Sequence, residues 1–388
     1  MSVNSVEYYI WLQSVIGFGS HKSESVLEYF GSPRLLFEAP RNDRVQSGLF
    51  TPGELEKFEK ITLVNAYAIE KRCAQLGYAI LTMEHPDYPL RLKRIADPPL
   101  VIYVWGDLSG IDDEPCIAMV GTRSATRYGE EIASTLSRQL AAAGMTIVSG
   151  CAKGIDILAH KGALLAGGKT VGVLGCGIDI PYLMENASTR EAISKNGAVI
   201  SEYPPGSPAA PYNFPVRNRL ISALSLGTIV VEAGEKSGSL ITARLAGEQG
   251  KDVFAIPGSL LSKYSAGANR LIKDGAKPIS GASDVVLEYI YDYPEKLNVK
   301  ALKAHFEYNN SVPASDAPEY RVEKPPRELS GISPECKALY DVIPDEPTGI
   351  DALSEITKLP TYRLLPILTE LEIEGFVRMT AGKRYEKI

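Results

Sequence analysis

The sequence predicts a doubly wound α/β fold for the middle of the chain. Six short segments rich in Val, Ile and Ala recur between residues 116 and 258, helical segments separate them, and several of those helices end in Gly. Near-continuous apolar segments of this length are typical of parallel strands buried on both faces. Strands that alternate with helices form a sheet covered on both sides. A chain of 388 residues has room for about two to four domains.

The first element is a predicted helical domain over residues 1–80, with the helical segments YYIWLQSV, SESVLEYF and PGELEKFEKITLVNAYAIEKRCAQL. Between the first two lies VIGFGS, residues 15–20, which has the spacing of a helix-hairpin-helix turn. In such a turn the amides of Gly17 and Gly19 can meet a phosphate. A tight turn between two packed helices explains the segment at least as well, so we assign no DNA binding to it.

The predicted α/β domain covers residues 81–290. It begins with a strand, a proline-punctuated passage and a second strand in YAILTMEHPDYPLRLKRIADPPLVIYVWGDLS,. The strands that follow are CIAMVG, MTIVSG, TVGVLG, AVISEY, GTIVVEA and KDVFAIPG. The helices between them are YGEEIASTLSRQLAAAG, DILAHKGALLAG, STREAISKNG, NRLISALSL and SLITARLAGEQG,.

A linker over residues 291–330 and a winged helix over residues 331–388 complete the predicted organisation. The linker contains SVPASDAPEYRVEKPPRELSG, which is rich in Pro, Ser and charge and lacks apolar periodicity,. The winged helix is predicted from LSEITKL, a turn at Pro360, a second helix and a wing around Ala381 and Gly382,. Its recognition segment TYRLLPILTELEIEG has one Arg against three Glu, which disfavours reading of duplex DNA.

Composition limits the location and chemistry of the protein. No apolar run reaches the roughly 18 residues of a membrane span, and MSVNSVEYYI lacks the pattern of a secretory signal,, so a cytoplasmic protein without membrane contact is expected. Five scattered cysteines without a CxxC pair predict reduced thiols, and four unclustered histidines predict no metal site,. The net charge is −6, but residues 117–281 contain 17 Lys and Arg against 12 Asp and Glu, so a polyanion fits the middle of the chain.

The loop after the first central strand, VGTRSATRYG, is a candidate phosphate site. Ligands bind at the carboxyl ends of the strands in open α/β sheets. Gly121, Thr122, Arg123 and Ser124 lie at such an end, with backbone donors, hydroxyls and a guanidinium group suited to a phosphate,. The loop lacks GxGxxG, so a dinucleotide has no support and no cofactor is expected.

The loop after the second strand, SGCAKGIDILAH, forms another polar turn at a helix start, with Ser149 and Gly150. Asp156 and His160 are four residues apart and share a helix face. They could form an acid–base pair, but we prefer a structural interpretation in which Asp156 caps the helix and His160 bonds back across it, because no nucleophile lies beside them in sequence.

The segment VVEAGEKSGSLITA places Ser237, Gly238, Ser239 and Thr242 at a loop entering a helix. Backbone donors at such a loop can capture an anion. GxxxxGK[ST] and evident magnesium ligands are both missing, which makes ATP hydrolysis an unfavourable interpretation.

The segment FPVRNRLIS places Arg217 and Arg219 just before an apolar run. We expect both guanidinium groups to lie at the surface and to face a polyphosphate, with Phe214 and Tyr212 as stacking surfaces. Lys169 in GGKT precedes its strand and therefore lies toward the opposite end of the sheet, so a phosphate contact and a solvated lysine are equally open for it.

These motifs resemble those of the DNA-processing protein A family, also called Smf, of bacterial natural transformation. The resemblance rests on DYPLRLKRIADPPLVIYVWG, VGTRSATRYG, VSGCAKGIDILAH, GGKTVGVLGCGID, ISEYPPG, FPVRNRLIS, SGSLITARLAGEQGKDVFAIPG and GANRLIKDGA, in order over residues 87–277. It implies a Rossmann-like domain, a small N-terminal helical (SAM/helix-hairpin-helix-like) domain and a C-terminal winged helix.

The resemblance also implies a function. It implies a homodimer that binds and protects single-stranded DNA without strong sequence preference and helps to load the RecA recombinase, with no catalysis. It favours Lys169 as a DNA contact beside Arg123 and the arginines of FPVRNR. The predicted DNA-binding residues are Gly121, Thr122, Arg123, Ser124, Ser149, Gly150, Lys169, Phe214, Arg217, Asn218, Arg219, Ser237, Gly238, Ser239 and Thr242.

Two alternatives stay open at this point. One is a nucleotide-processing enzyme of the phosphoribohydrolase-like superfamily, which is disfavoured because SGSLITA lacks the acid that would stabilise an oxocarbenium ion,. The other is a transcriptional regulator that acts through the winged helix, which the acidic recognition segment disfavours.

Overall fold

A computed structural model describes residues 6–301, 333–344, 348–374, 376–380 and 384–387 of the protein. The chain divides into two compact units, Met1–Pro313 and Ala314–Ile388. None of the described helices is long and apolar enough to cross a membrane.

Six helices form the N-terminal part of the first unit. They are α1 (Val6–Ile16), α2 (Ser23–Phe30), α3 (Pro33–Glu38), α4 (Arg41–Gln46), α5 (Pro52–Lys60) and α6 (Leu63–Leu76). Local capping explains two of their starts: the Ser32 side chain accepts from the amide of Leu35, and Thr51 forms a capping box with Glu54,. Buried side chains of α1, Trp11 among them, belong to the same apolar core as the first strands of the sheet. The predicted domains 1–80 and 81–290 therefore lie within one compact unit.

A nine-stranded sheet forms the centre of this unit. Its strands are β1 (Ala79–Thr82), β2 (Val101–Gly106), β3 (Cys116–Val120), β4 (Thr146–Ser149), β5 (Thr170–Leu174), β6 (Gly197–Ser201), β7 (Gly227–Val230), β8 (Asp252–Ala255) and β9 (Lys277–Pro278). The spatial order is β1-β2-β6-β5-β4-β3-β7-β8-β9. The pairs β1–β2 and β2–β6 are antiparallel and all other pairs in this sheet are parallel. The predicted doubly wound, mostly parallel sheet is confirmed.

Helices cover both faces of the sheet. They are α7 (Leu90–Lys93), α8 (Arg127–Ala142), α9 (Ile155–Leu165), α10 (Ala187–Lys195), α11 (Asn213–Leu224), α12 (Ser239–Glu248), α13 (Ala266–Lys273) and α14 (Ala282–Tyr289). Alternate residues of a strand enter different cores, because side chains in a strand point to opposite faces. In β3, Ile117 and Met119 pack in the core that contains α8, whereas Ala118 and Val120 pack in the core that contains α11.

The second unit has the element order of the predicted winged helix. Its elements in chain order are α15 (Pro334–Val342), β10 (Thr348–Gly349), α16 (Ile350–Thr357), α17 (Thr361–Ile373), β11 (Val377–Thr380) and β12 (Arg384–Lys387). The strands pair in the order β10-β12-β11. The predicted wing around Ala381 and Gly382, and most of the predicted linker, lie outside the described residues.

Candidate nucleic-acid interface

A cleft of about 390 Å³ opens at the carboxyl ends of β3, β4 and β7. β4, the next strand along the chain, pairs with one side of β3, and β7 pairs with the other side. The strand order therefore reverses at β3, and the cleft lies at this point. Ligands of open α/β sheets bind at such a position. The lining residues are Val120, Gly121, Arg123, Ala152, Asp156, Tyr182, Pro211, Phe214, Pro215, Arg217, Asn218, Ile221, Ser237, Gly238, Ser239, Ile241 and Thr242.

The loop that carries Arg123 is held at both ends by Glu232. The main-chain oxygen of Glu232 accepts from the amide of Thr122 at 2.8 Å. Its carboxylate accepts from the amide and the hydroxyl of Thr126, at 2.9 and 2.6 Å. Thr126 caps α8, and a Cβ on Gly129 would lie 2.2 Å from the Glu232 carboxylate. Glu232 is 2% exposed, and the sequence analysis missed it, although a lone carboxylate directly after an apolar strand was a usable signal.

Arg123 presents its guanidinium group to the cleft. The side chain is exposed, and its Cζ lies 5.2 Å from the centroid of the Phe214 ring. Tyr182 extends this aromatic surface, with its ring centroid 5.2 Å from that of Phe214. Positive charge beside stacked rings suits a phosphate next to a base. Of the predicted arginines, Arg123 is the one whose position fits the predicted contact directly.

Arg217 also lines the cleft, but it is only 3% exposed. Its Nη1 donates to the carbonyl of Gly150 at 2.8 Å and to that of Val173. A Cβ on Gly150 would lie 2.3 Å from this nitrogen, so the glycine is required by a close approach. The expectation that this guanidinium lies at the surface is wrong, because the loop after β4 and the end of β5 close around it.

Asp156 balances the buried charge of Arg217. Its carboxylate is also buried and accepts from the amide of Gly150 at 3.1 Å. Burial raises the pKa of Asp156, and the nearby Arg217 opposes that rise. Burial lowers the pKa of Arg217, and Asp156 opposes that fall. The Nε of Arg217 has no hydrogen-bond partner among the described residues, so this buried pair leaves one donor unused.

Arg219 does not belong to the cleft. It is 2% exposed, and its Nη2 donates to both carboxylate oxygens of Glu202 at 2.8 Å. Its Nε lies 3.0 Å from the Oδ2 of Asp97. The expectation that Arg219 faces solvent is wrong, because two carboxylates surround its guanidinium group inside the protein. Its position gives no support to a contact with DNA.

The first turn of α12 also lines the cleft. Ser237, Gly238, Ser239 and Thr242 line it together, as predicted from their position before a helix. The hydroxyls of Ser237 and Ser239 lie 2.8 Å apart, and Asn218 donates to the carbonyl of Gly238 at 3.4 Å. The amides of Leu240 and Ile241 donate to the carbonyls of Ser237 and Gly238, so the hydroxyls and the positive end of the helix dipole are what favour an anion here.

Comparison with known proteins shows which family the chain belongs to. The family described as DNA recombination-mediator protein A matches residues 79–290, and the DprA winged helix domain matches residues 323–383. Protein Smf of Synechocystis sp. is 33% identical over 356 residues, which is 86% of this chain and 89% of that protein. The chain belongs to the DNA recombination-mediator protein A family. The α/β domain and the winged helix both match this family of recombination mediators.

Other members of the family resemble this mediator closely. DNA processing protein DprA of Bacillus subtilis is 42% identical over 212 residues, or 55% of this chain and 71% of that protein. The crystal structure of DNA processing protein A from Streptococcus pneumoniae has 34% identity and a TM-score of 0.65, over 74% of this chain and 99% of that one. A DNA processing protein A structure from Helicobacter pylori, described for its single-stranded DNA binding mode, has 35% identity and a TM-score of 0.50, over 56% and 97% of the two chains.

Six predicted site residues do not belong to the cleft lining, namely Thr122, Ser124, Ser149, Gly150, Lys169 and Arg219. Ser149 is fully buried, and its hydroxyl donates to the carbonyl of Met119 at 2.6 Å. Lys169 directly precedes β5 and so lies at the amino end of the sheet, where its Nζ is 3.0 Å from the Oε1 of Glu114. The structure therefore separates Lys169 from Arg123, and a DNA contact by Lys169 stays a prediction.

His160 has a structural role in the core of the mediator. Thr170 donates its hydroxyl proton to the carbonyl of Ile147 at 2.7 Å, so its oxygen accepts from the Nδ1 of His160, also at 2.7 Å. The Nε2 of His160 then accepts from the thiol of Cys151 at 3.5 Å. Burial lowers the pKa of His160 to about 3, so the ring is neutral. We preferred such a structural role from the sequence, but the partner is Thr170 on β5 and not the helix itself.

Proposed function

We propose that this recombination mediator binds single-stranded DNA in the cleft and passes it to the RecA recombinase. The observation that carries the proposal is the exposed Arg123 guanidinium beside the Phe214 ring, in a cleft that the first turn of α12 also lines. The description of the Helicobacter pylori relative by its single-stranded DNA binding supports the same ligand. Loading of RecA during natural transformation, and a homodimer formed through the Rossmann-like domain, are further parts of the proposal, and membership of the family supports them.

The chemistry of the cleft suits a strand more than a duplex. Phe214 and Tyr182 offer ring faces to unstacked bases, and Tyr212, 76% exposed, lies two residues before Phe214. Ring faces accept any base, whereas bases inside a duplex are stacked on one another. The anion-binding groups, Arg123 and the start of α12, contact phosphates and carry no sequence information. Binding should therefore be tighter for single strands and nearly independent of sequence.

Fluorescence anisotropy with labelled oligothymidine and a matched duplex, across a salt series, tests the proposal. Arg123→Ala should weaken binding of the single strand and reduce the magnitude of the salt slope by roughly 0.7 for the phosphate contact that is lost. Arg244→Ala is the matched control, because Arg244 is an exposed arginine paired with Glu248 on α12. Equal binding by the wild-type protein and Arg123→Ala, or no preference for the single strand, would contradict the proposal.

The transfer step has its own experiment. RecA filament assembly is followed on single-stranded DNA coated with a single-strand binding protein, with wild-type mediator or Arg123→Ala. Wild-type mediator should accelerate assembly, and the variant should do so only at higher concentration, since it must first hold the strand. Acceleration that is unaffected by Arg123→Ala would separate RecA loading from this cleft.

Nucleotide hydrolysis remains the alternative function. Of the described residues that line the cleft, Asp156 is the one acid, and it is buried beside Arg217. A carboxylate held in this way is poorly placed to stabilise an oxocarbenium ion in the open part of the cleft. Release of free base from nucleoside monophosphates by the purified protein would establish the alternative.

A further inference from the structure

The N-terminal turn at residues 15–20 has its glycine amides engaged inside the protein. Gly17 and Gly19 both have positive φ, of 84° and 67°. The amide of Gly17 donates to the carbonyl of Gln13 at 2.9 Å and closes the end of α1. The amide of Gly19 donates to the Oε1 of Glu202 at 3.2 Å. A turn that binds phosphate needs free amides, so these contacts favour a role for the turn within the protein.

Glu202, which accepts from the Gly19 amide, connects the turn to α11 through a buried network. Glu202 accepts from the amide of Gly19 and, through both oxygens, from Arg219 on α11. Glu202 is 2% exposed, and its main-chain oxygen accepts from the Nε2 of Gln13 at 2.9 Å. A buried ion pair satisfied by further hydrogen bonds fixes the relative position of the elements it joins. The turn, the end of β6 and α11 are therefore held together by one set of contacts.

Direct packing joins the turn to the same face of α11. A Cβ on Gly19 would lie 2.8 Å from the Cγ1 of Val216. The ring centroids of Phe18 and Tyr203 are 4.5 Å apart, and the Tyr203 hydroxyl donates to the carbonyl of Asn213 at 3.5 Å. Val216 and Arg219 are three residues apart and share a helix face.

The opposite face of α11 lines the DNA cleft. Phe214, Arg217, Asn218 and Ile221 follow the spacing i, i+3, i+4, i+7, and all four line the cleft,. One side of the helix thus contacts the N-terminal turn while the other side forms the site. A displacement of the turn would move Phe214 relative to Arg123, which lies on a separate loop.

We propose that the N-terminal turn is a positioning element, which holds α11 through Gly19, Glu202 and Arg219 so that Phe214 meets the DNA strand. Gly19 and Arg219 are positioning residues in this proposal and neither contacts DNA. The inference rests on the proposed function for its DNA readout, and it explains why the glycine amides of a turn with the spacing of a DNA-binding motif donate to groups of the protein itself.

The chain offers a matched pair of variants to test it. Gly19→Ala and Gly17→Ala each place a side chain at positive φ, but a Cβ on Gly17 has nothing within 4 Å, whereas a Cβ on Gly19 meets Val216. Val216→Ala removes the contacted methyl group, so the double variant Gly19→Ala/Val216→Ala restores space. The wild-type protein, the single variants Gly17→Ala, Gly19→Ala and Val216→Ala, and the double variant are compared in anisotropy with oligothymidine across a salt series and in thermal unfolding.

Gly19→Ala should weaken oligothymidine binding by about threefold to tenfold with an unchanged salt slope, since no phosphate contact is removed. Gly17→Ala should keep wild-type affinity, and Val216→Ala should restore affinity in the Gly19→Ala background. A lowered salt slope in Gly19→Ala would show that the turn itself contacts phosphate and would overturn the proposal. Equal affinities for the Gly17 and Gly19 variants would overturn it as well.

A second measurement works without DNA and separates this inference from the proposed function. Amide hydrogen exchange of α11 should become faster in Gly19→Ala and stay at the wild-type rate in Gly17→Ala. If the wild-type protein does not bind single strands but the exchange result holds, the DNA function fails and the positioning of α11 stands. Unchanged exchange in α11 of Gly19→Ala would refute the positioning role even if DNA binding is confirmed.

Discussion

Arg217→Ala and Arg123→Ala should affect two different properties of the protein. Arg217 is 3% exposed, donates to the carbonyl groups of Gly150 and Val173, and lies beside the buried Asp156. Its loss leaves the Asp156 carboxylate buried without its partner. Arg123 is exposed and stacks on Phe214, so its loss removes a surface charge from a loop that Glu232 still holds. We expect the first change to reduce stability and the second to reduce binding.

The magnitudes follow from burial. Arg217 and Asp156 are buried opposite charges that stabilise each other through a Coulombic interaction. Removal of one of them leaves an uncompensated buried charge, which costs about 3 to 5 kcal/mol, whereas a surface substitution stays within about 0.5 kcal/mol. At this size a loss of 1 kcal/mol lowers the Tm by about 2 °C, so Arg217→Ala should unfold roughly 6 to 10 °C below the wild-type protein. Removal of both charges in Asp156→Asn/Arg217→Met should recover most of the loss, since no unpaired carboxylate then remains.

Thermal unfolding at several pH values measures the loss of stability in Arg217→Ala and tests whether the Asp156 carboxylate causes it. Without Arg217 the pKa of Asp156, already raised by burial, rises further. A raised carboxyl pKa gives stability that is complete below the unfolded pKa and is lost as the pH rises through the folded pKa. The Tm deficit of Arg217→Ala should therefore shrink in acid. An Arg217→Ala protein with the wild-type Tm but weakened DNA binding would refute the structural role and restore Arg217 as a phosphate contact.

Three further predictions follow from the described contacts. Glu232→Ala should weaken oligothymidine binding in anisotropy, because the carboxylate that accepts from Thr126 no longer holds the Arg123 loop; unchanged binding would contradict this. Lys169→Ala should leave binding of short oligonucleotides unchanged and affect only strands long enough to leave the cleft, because Lys169 pairs with Glu114 at the other end of the sheet; a loss with short oligonucleotides would place Lys169 in the cleft. The folded pKa of His160 is about 3, below its unfolded value of roughly 6.5. The stability present above pH 6.5 should therefore be lost as the pH falls toward 3, by on the order of 4 to 5 kcal/mol in total. In His160→Gln the Tm should change less with pH over that range.

Much of the fold was predictable because its signals are local. Five of the six central strands lie within the apolar segments chosen from the sequence, with one or more residues trimmed at their ends, and β6 begins one residue earlier than its segment, at Gly197. The glycine and hydroxyl turns at the ends of β3 and β7 do meet in one cleft, since the carboxyl ends of parallel strands share an edge. The winged-helix element order was also recoverable from helix spacing and the turn at Pro360.

The contacts of individual charged residues were not predictable from local pattern. Arg219 and Glu202 are 17 residues apart, and Gly19 is 183 residues from Glu202. No periodicity in the sequence links such positions. The position of Glu232 directly after an apolar strand was a signal for the residue but not for its partners, because Thr122 and Thr126 belong to another strand–helix unit. Long-range ion pairs form only after the sheet has brought distant loops together, so residue type alone could not separate contact residues from supporting ones.

Helix geometry nevertheless separates the two arginines of FPVRNR. Residues two apart on an α-helix are rotated by about 200°, so they do not share a face. Once α11 includes both residues, Arg217 and Arg219 cannot follow one phosphate path together. The structure shows what each does: Arg217 joins α11 to the loop after β4 and to β5, and Arg219 joins it to Glu202 and Asp97. The helix that presents Phe214 is thus fixed from two sides by buried charges, and the exposed charge beside that ring comes from Arg123 on a different loop.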